Sequence, residues 1–284
     1  MMTSSRKVSA SNVTIGALLY AILIIFALIT LLPLVWAIST SLKANGEVFA
    51  VPPQWIPANP QWSNFGAAWT LAPFERFYLN TLYITALIVV GQLFTSSMAG
   101  FAFARLKFPG RNALFLLYLA SLMIPSQVIM IPIFLMVRDL GWINSHLSLI
   151  IPSLAGPFGT FLFRQFFLSI PEELADSARI DGCTNLGIYW RIFLPLSKPA
   201  LATLGIFTAL NTWNSFLWPL ILIRSPELYT VTQGLGLLRG LNQFEVPWEL
   251  VMAGTVTAMI PIVIVFLLAQ RYFIEGITLT GVKG

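Results

Sequence analysis

Six apolar segments, each about as long as a bilayer is thick, leave this chain few ways to fold. They run roughly 14–39, 79–103, 113–137, 147–168, 200–223 and 250–272. A helix needs about 20 mostly apolar residues to cross the hydrocarbon. Away from their end residues, the segments hold no Asp, Glu, Lys or Arg. Lipid offers no hydrogen bonds to the backbone, so segments of this kind must be helical. Only 10% of the chain is charged, against about 25% in soluble domains. The expected fold is all-α and polytopic, one transmembrane domain over residues 1–284. The first segment is expected to stay as an uncleaved span. It is too apolar for too long to be a signal, and Pro33-Leu34-Val35-Trp36 stands in place of a small-residue cleavage site.

Orientation follows from the basic residues in the connections. With the N-terminus inside, the cytoplasmic pieces hold Arg6, Lys7, Arg105, Lys107, Arg111, Arg164, Arg179, Arg191, Lys198, Arg271 and Lys283, 11 of the 16. Lys43, Arg76, Arg138, Arg224 and Arg239 fall outside. Positive charge stays with the cytoplasmic face, so both termini are expected there.

The residues that enzymes use are scarce. No Gly-Lys pair occurs, so ATP cannot bind through a P-loop. "GLGLLRG" at 234–240 has one residue too many for a dinucleotide fingerprint and reads as part of an outside loop. The single Cys183 allows no disulfide within the chain, and the single His146 leaves little for a metal cluster. His146 reads as a polar residue at the outer end of span four. No metal site, bound cofactor or nucleic-acid partner is expected. The spans also lack ionisable groups for a proton relay, which weakens an ion-coupled secondary transporter. Sodium coupling through carbonyl and hydroxyl oxygens keeps that alternative open. Prolines at 125, 132, 152, 157, 219 and 261 interrupt the spans and free backbone carbonyls, by ordinary kinking or in a wall that moves.

Residues 169–199 break the apolar pattern. Seven of the 27 residues from Glu172 to Lys198 are charged. Ser169 and Glu172 have capping-box spacing, Pro171 suits a first turn, and Glu172, Glu173 and Asp176 suit the positive end of a helix. Ala175, Ser177 and Ala178 are small enough for close approach, and Gly182 ends the helix. A second short helix through Tyr189, Arg191 and Ile192 is expected to stop at Pro195. Ordered helices with exposed charge point to a docking element. In span five, "NTWNSFLWP" sets Asn211, Trp213, Asn214 and Trp218 in an apolar helix. These could line a polyol path, with rings stacking on sugar and amides binding hydroxyls, or could serve helix–helix bonding and an interfacial Trp.

Asp176-Ser177-Ala178, Gly182 after three residues, Ile192 after nine more, then Leu194-Pro195 resemble the cytoplasmic "EAA" loop. That loop marks the membrane subunits of binding-protein-dependent ABC importers. Asp176 replaces the usual Glu and Ser177 the usual Ala, keeping charge sign and small size. "AGFAFARLKFPGR" (99–111), "MIPSQVIMIPIF" (123–134), "LGWINSHLSLIIP" (140–152) and "FLFRQFFLSIPEEL" (161–174) are similar to the sugar-transport, maltose-type branch. The tail "QRYFIEGITLTGVKG" (270–284) resembles the end of the shorter of that branch's two permeases.

The resemblance implies a permease subunit of the inner membrane, without ATPase activity of its own. It would pair with a second six-span permease and two ATP-binding subunits that hold ATP and magnesium. An extracytoplasmic binding protein would deliver a sugar or related polyol. Glu173 through Gly182 would be the coupling helix, with Glu173, Asp176, Ser177, Ala178, Asp181, Gly182, Ile192, Leu194 and Pro195 docking the ATPase. Gly281, Val282, Lys283 and Gly284 would reach the same interface, and loop 40–78 would face the binding protein and partner permease.

Overall fold

The computed structural model describes residues 10–240 and 246–281, and every regular element among them is helical. Four helical stretches are long and apolar enough to cross a membrane: Ile15–Ser41, Phe74–Arg105, Leu147–Ser169 and Trp248–Leu268. Two bent pairs complete six when each counts as one span.

The chain runs α1 (Ala10–Ser41), α2 (Ser63–Leu71), α3 (Phe74–Arg105), α4 (Arg111–Ala120) and α5 (Ser126–Asp139). Next come α6 (Leu147–Ile150), α7 (Pro157–Ser169), α8 (Glu173–Ile180), α9 (Asn185–Ile188) and α10 (Leu194–Leu196). It ends with α11 (Lys198–Trp213), α12 (Leu217–Leu222), α13 (Val231–Gly240) and α14 (Trp248–Gly281).

The bend in span three has a local cause. Arg111–Met123 and Ser126–Asp139 meet at 103°. Pro125 lacks an N–H, and its ring pushes Ile124 into extended backbone at φ −86°, ψ 117°. Pro132, by contrast, lies inside α5.

Span five departs from the continuous 200–223 expected from hydropathy. Helix α11 ends at Trp213, and α12 begins at Leu217. Pro219 could not continue a helix without orphaning the Ser215 carbonyl, but it fits the first turn of a new one. Thr232 donates its hydroxyl to that carbonyl at 2.6 Å. On the cytoplasmic side of the expected topology, Asn185–Leu196 and Lys198–Trp213 form the second bent pair, at 77°.

Residues 234–240 also differ from expectation, because they lie in α13 rather than in a loop. Gln233 reaches back so that the Thr230 N–H donates to its Oε1 at 3.2 Å, while the Gly234 N–H donates to the Thr230 carbonyl at 2.9 Å. That is half of a capping box, and it starts the helix.

The chain is expected as one permease domain, and its internal contacts gather into two compact units. One holds Met1–Leu71 and Leu238–Thr257, the other Ala72–Leu237 and Ala258–Gly284. In the second, α3 packs on α7 and α11. A Cβ at Gly100 would lie 2.5 Å from the Phe163 Cβ, so only glycine lets α3 and α7 approach this closely. An aromatic core of Phe101, Phe163, Phe167, Tyr189 and Phe193 fills the end of that interface.

In the first unit, Lys43 follows α1 and is fully buried, its Nζ 4.0 Å from the Trp36 ring centroid and without a hydrogen-bond acceptor among the described residues. Trp36 meets Trp55 edge-on at 5.0 Å, and Asn64 Nδ2 donates to the carbonyls of Ser41 at 2.9 Å and Lys43 at 2.8 Å. Burial lowers the Lys43 pKa, with Glu47 opposing it. A base with a lowered folded pKa holds its proton less well folded than unfolded, so stability rises with pH from that lowered value toward the ordinary Lys value of about 10.4. Lys43→Met should leave the melting temperature of the detergent-solubilised chain unchanged or higher at neutral pH and flatten its rise on the alkaline side. Thermal unfolding followed against pH measures both, and a clear loss of stability would show that the ammonium is a net stabiliser.

Candidate functional site

The polar interruption folds as expected in its first helix but is built differently at the entrance. Ser169 Oγ donates to the Phe166 carbonyl at 2.7 Å, so the Ser169–Glu172 capping box does not form. Instead the Glu172 carbonyl accepts the N–H groups of Ala175 and Asp176 at 2.9 and 3.0 Å. Glu173 and Asp176 lie in the first turn of α8, where the helix end is positive. Asp176 also pairs with Arg179 at 2.6 Å.

The exit is decided by Gly182. Its φ is +81°, its N–H donates to the Arg179 carbonyl at 3.0 Å, and the Cys183 N–H donates to the Ala178 carbonyl at 2.9 Å. This pair of bonds is a Schellman stop, and the left-handed residue within it favours glycine. Thr184 then caps α9 by accepting the Gly187 N–H at 3.2 Å.

Pro195 does not stop the second helix, which runs on to Leu196. A π-helical turn over Tyr189–Phe193 resets the register, so Pro195 falls in the first turn of α10, where no N–H is needed. The break comes at Ser197, whose hydroxyl donates to the Leu194 carbonyl at 2.8 Å.

The two faces of α8 divide cleanly. Ala175 and Ala178 are 1% and 7% exposed and pack against this chain's own aromatic core. Ile192 and Leu194 are half-buried against the same core. Of the nine expected docking residues, Glu173, Asp176, Ser177, Asp181, Gly182 and Pro195 are exposed, while Ala178, Ile192 and Leu194 support the loop from beneath. Leu174, Ile180 and Leu186 were not expected on this face. All three are exposed, Ile180 at 87%. Helical spacing could have found Ile180, which falls off the Ala175–Ala178 stripe, but not Leu174, which lies four residues before Ala178 at the edge of that stripe.

One cation ties the loop to α3. Arg105 Nη2 donates to the carbonyls of Phe167, at 2.6 Å, and Ile170, satisfying the open end of α7. Its Cζ lies 5.0 Å from the Phe193 ring centroid. Arg105 therefore grips both the segment entering α8 and the segment leaving α9. Tyr189 adds a second tie, its hydroxyl 2.7 Å from that of Ser97.

Farther along α3, within the second unit, lies a cavity of about 440 Å3. Its polar lining includes Gln92, Ser126, Ser153, Thr208 and Asn211, with Trp218 beside them. Thr208 donates its hydroxyl to Gln92 Oε1. Of the four residues expected on a substrate path, Asn211 and Trp218 line this cavity. Trp213 is buried, its indole donating to the Ala258 carbonyl at 3.0 Å, and Asn214 Nδ2 caps the end of α11 by donating to the Leu210 carbonyl at 2.9 Å. Gln92, a second amide of the lining, was missed in the sequence, although an amide deep in a long apolar span was a signal.

His146 is structural, its Nε2 2.8 Å from the Leu228 carbonyl and its ring edge-on to Tyr83. Gly281 ends the described part of α14, and Val282, Lys283 and Gly284 lie outside the described residues.

Residues 92–278 match the family described as the binding-protein-dependent transport system inner membrane component. The chain is 40% identical over 274 residues to the arabinooligosaccharides transport system permease protein AraQ of Halalkalibacterium halodurans, covering 95% of each. It is 34% identical over 264 residues to the sn-glycerol-3-phosphate transport system permease protein UgpE of Yersinia enterocolitica, covering 91% of this chain and 94% of that one. Among solved structures it resembles a chain of a bacterial ABC transporter involved in import of the acidic polysaccharide alginate. That match has a TM-score of 0.83 and 29% identity over 93% of this chain and 98% of the other.

Losing Arg105 should loosen the loop without removing any span. A hydrogen bond from a charged donor contributes about 1.5–3 kcal/mol, and Arg105→Met removes two. Amide hydrogen exchange across residues 173–196 should speed up at least tenfold, by the conversion of about 1.4 kcal/mol per factor of ten, while α1 is unaffected. Unchanged exchange in the loop would show that the aromatic core alone holds it.

Proposed function

The chain belongs to the family of binding-protein-dependent transport system inner membrane components, and from that premise we propose how it works as a permease of an ABC importer. It is a transport component of the inner membrane rather than an enzyme, and a binding protein serves its system. Its solute is a sugar, polyol or glycoside. The solutes named for its relatives, arabinooligosaccharides, glycerol phosphate and alginate, are all polyhydroxylated, which supports that class.

A second permease completes the path, and two ATP-binding subunits, which hold the ATP and magnesium, dock on loop 169–199. Both termini face the cytoplasm, on the balance of 11 basic residues against five. The observation that carries the docking reading is the shape of α8. Its alanines are turned into this chain's core, its acids and Ile180 stand exposed, and its exit is fixed by Gly182. Such a helix can be pushed by a partner only as one body with the α3 end that Arg105 holds. Nucleotide-driven movement below is thereby delivered to the membrane helices. Glu173, Asp176, Ser177, Asp181 and Gly182 make the contact, and Gly281 to Gly284 add to it.

No atom stands within 4 Å of a Cβ built on Gly182, so the price of a side chain there is the backbone angle. A left-handed angle costs an ordinary L residue about 1–2 kcal/mol, and Asn tolerates it better than most. Gly182→Val in the assembled importer should cut solute uptake at least tenfold while ATP hydrolysis continues, and Gly182→Asn should keep most of the uptake. Equal, wild-type uptake in both variants would exclude α8 as the coupling element.

A further inference from the structure

The cavity beside α3 carries a statement about charge. Its lining joins hydroxyls and amides of Gln92, Ser126, Ser153, Thr208 and Asn211 to the apolar rings of Phe158 and Trp218, and among the described residues of this chain includes no Asp, Glu, Lys, Arg or His. At about 440 Å3 it lies in the range of small-ligand sites and has room for sugar rings. Hydroxyls and side-chain amides both donate and accept, which matches a solute whose own groups do the same. A carboxylate or phosphate held there would give up part of its water without meeting a cation, which is unfavourable.

Positive helix ends reach the lining at Ser126, which opens α5, at Thr230, which precedes α13, and at the N-terminal end of α7, Gly156 to Gly159. Pro157 occupies the first turn of α7 and offers no N–H, and a Cβ at Gly159 would already lie 2.5 Å from Ser96 Oγ. Such ends can orient hydroxyls, but the partial charge of a helix end does not replace a full cation beside an anion.

We propose that this cavity is a passage site for a neutral, hydroxyl-rich solute, that it disfavours anions, and that the Gln92–Thr208 pair sets its polar contacts. The proposal rests on the importer reading above and narrows it from sugars, polyols and their acidic or phosphorylated relatives to neutral glycosides. Gln92 comes from α3 and Thr208 from α11, with Thr208 donating to Gln92 Oε1. The pair holds the amide in place, and a side chain without the amide would remove the acceptor that Thr208 uses.

The test uses the complete importer in vesicles, with its binding protein outside and ATP inside. Uptake is measured for a pool of neutral pentose and hexose di- and trisaccharides, for sn-glycerol 3-phosphate and for an alginate trisaccharide. Neutral solute should enter at least tenfold faster than either anion. With the binding protein saturated, Gln92→Leu should lower neutral uptake about fivefold, in line with a lost hydrogen bond, and Gln92→Lys should lower it further. Anion uptake equal to or faster than neutral uptake overturns the proposal while leaving the importer reading intact. So does neutral uptake by Gln92→Lys at the wild-type rate. A complex that moves none of the solutes and whose ATP hydrolysis none of them stimulates overturns the importer reading itself. Should a variant fail to assemble, the wild-type ratio of neutral to anionic uptake decides.

Discussion

A backbone carbonyl that leaves a helix inside a membrane must find another donor, because lipid supplies none. Most of what is distinctive here happens where this chain meets that demand. Arg105 takes the carbonyls at the end of α7. Thr232 takes the carbonyl of Ser215 where span five breaks, and Thr95 takes that of Leu154 where α6 gives way to α7. At the end of α12 the Leu222 carbonyl accepts the Asn144 N–H at 2.8 Å. Asn144 itself sits at φ +60°, its Oδ1 accepting the N–H groups of Arg224 and Ser225. Each break is therefore an anchored feature of fixed geometry.

Helix α3 links the two candidate sites. Its middle lines the cavity through Gln92, and its end holds the loop through Arg105, Phe101 and Ser97. Close backbone contact at Gly100 welds it to α7. Under the proposed docking, a force on α8 would reach the cavity through packed atoms and directed hydrogen bonds, because interfaces packed this tightly shift as bodies rather than flexing.

Local signals were readable in the sequence. Six apolar segments announced the spans, because hydropathy over about 20 residues needs no knowledge of neighbours. Gly182 and the acids of α8 were legible for the same reason, since a left-handed stop and a helix dipole act within one or two turns. Spacing at 176–195 carried the resemblance that named the family. Readings failed where a local rule had a competitor. Ser169 had a nearer carbonyl at Phe166 than any cap, a π-helical turn absorbed Pro195, and Gln233 turned an apparent loop into a helix.

The sequence by itself determined an all-helical membrane chain with one polar, helical interruption, because length, hydropathy and turn chemistry act over neighbouring residues. The tertiary structure alone decided which side of each motif does the work. It turned Ala178 inward and Ile180 outward, put Asn211 on the cavity and Asn214 on its own helix end, and paired Gln92 with Thr208. Those choices depend on donors and acceptors far apart in the chain. Only folding brings them within a hydrogen bond of each other.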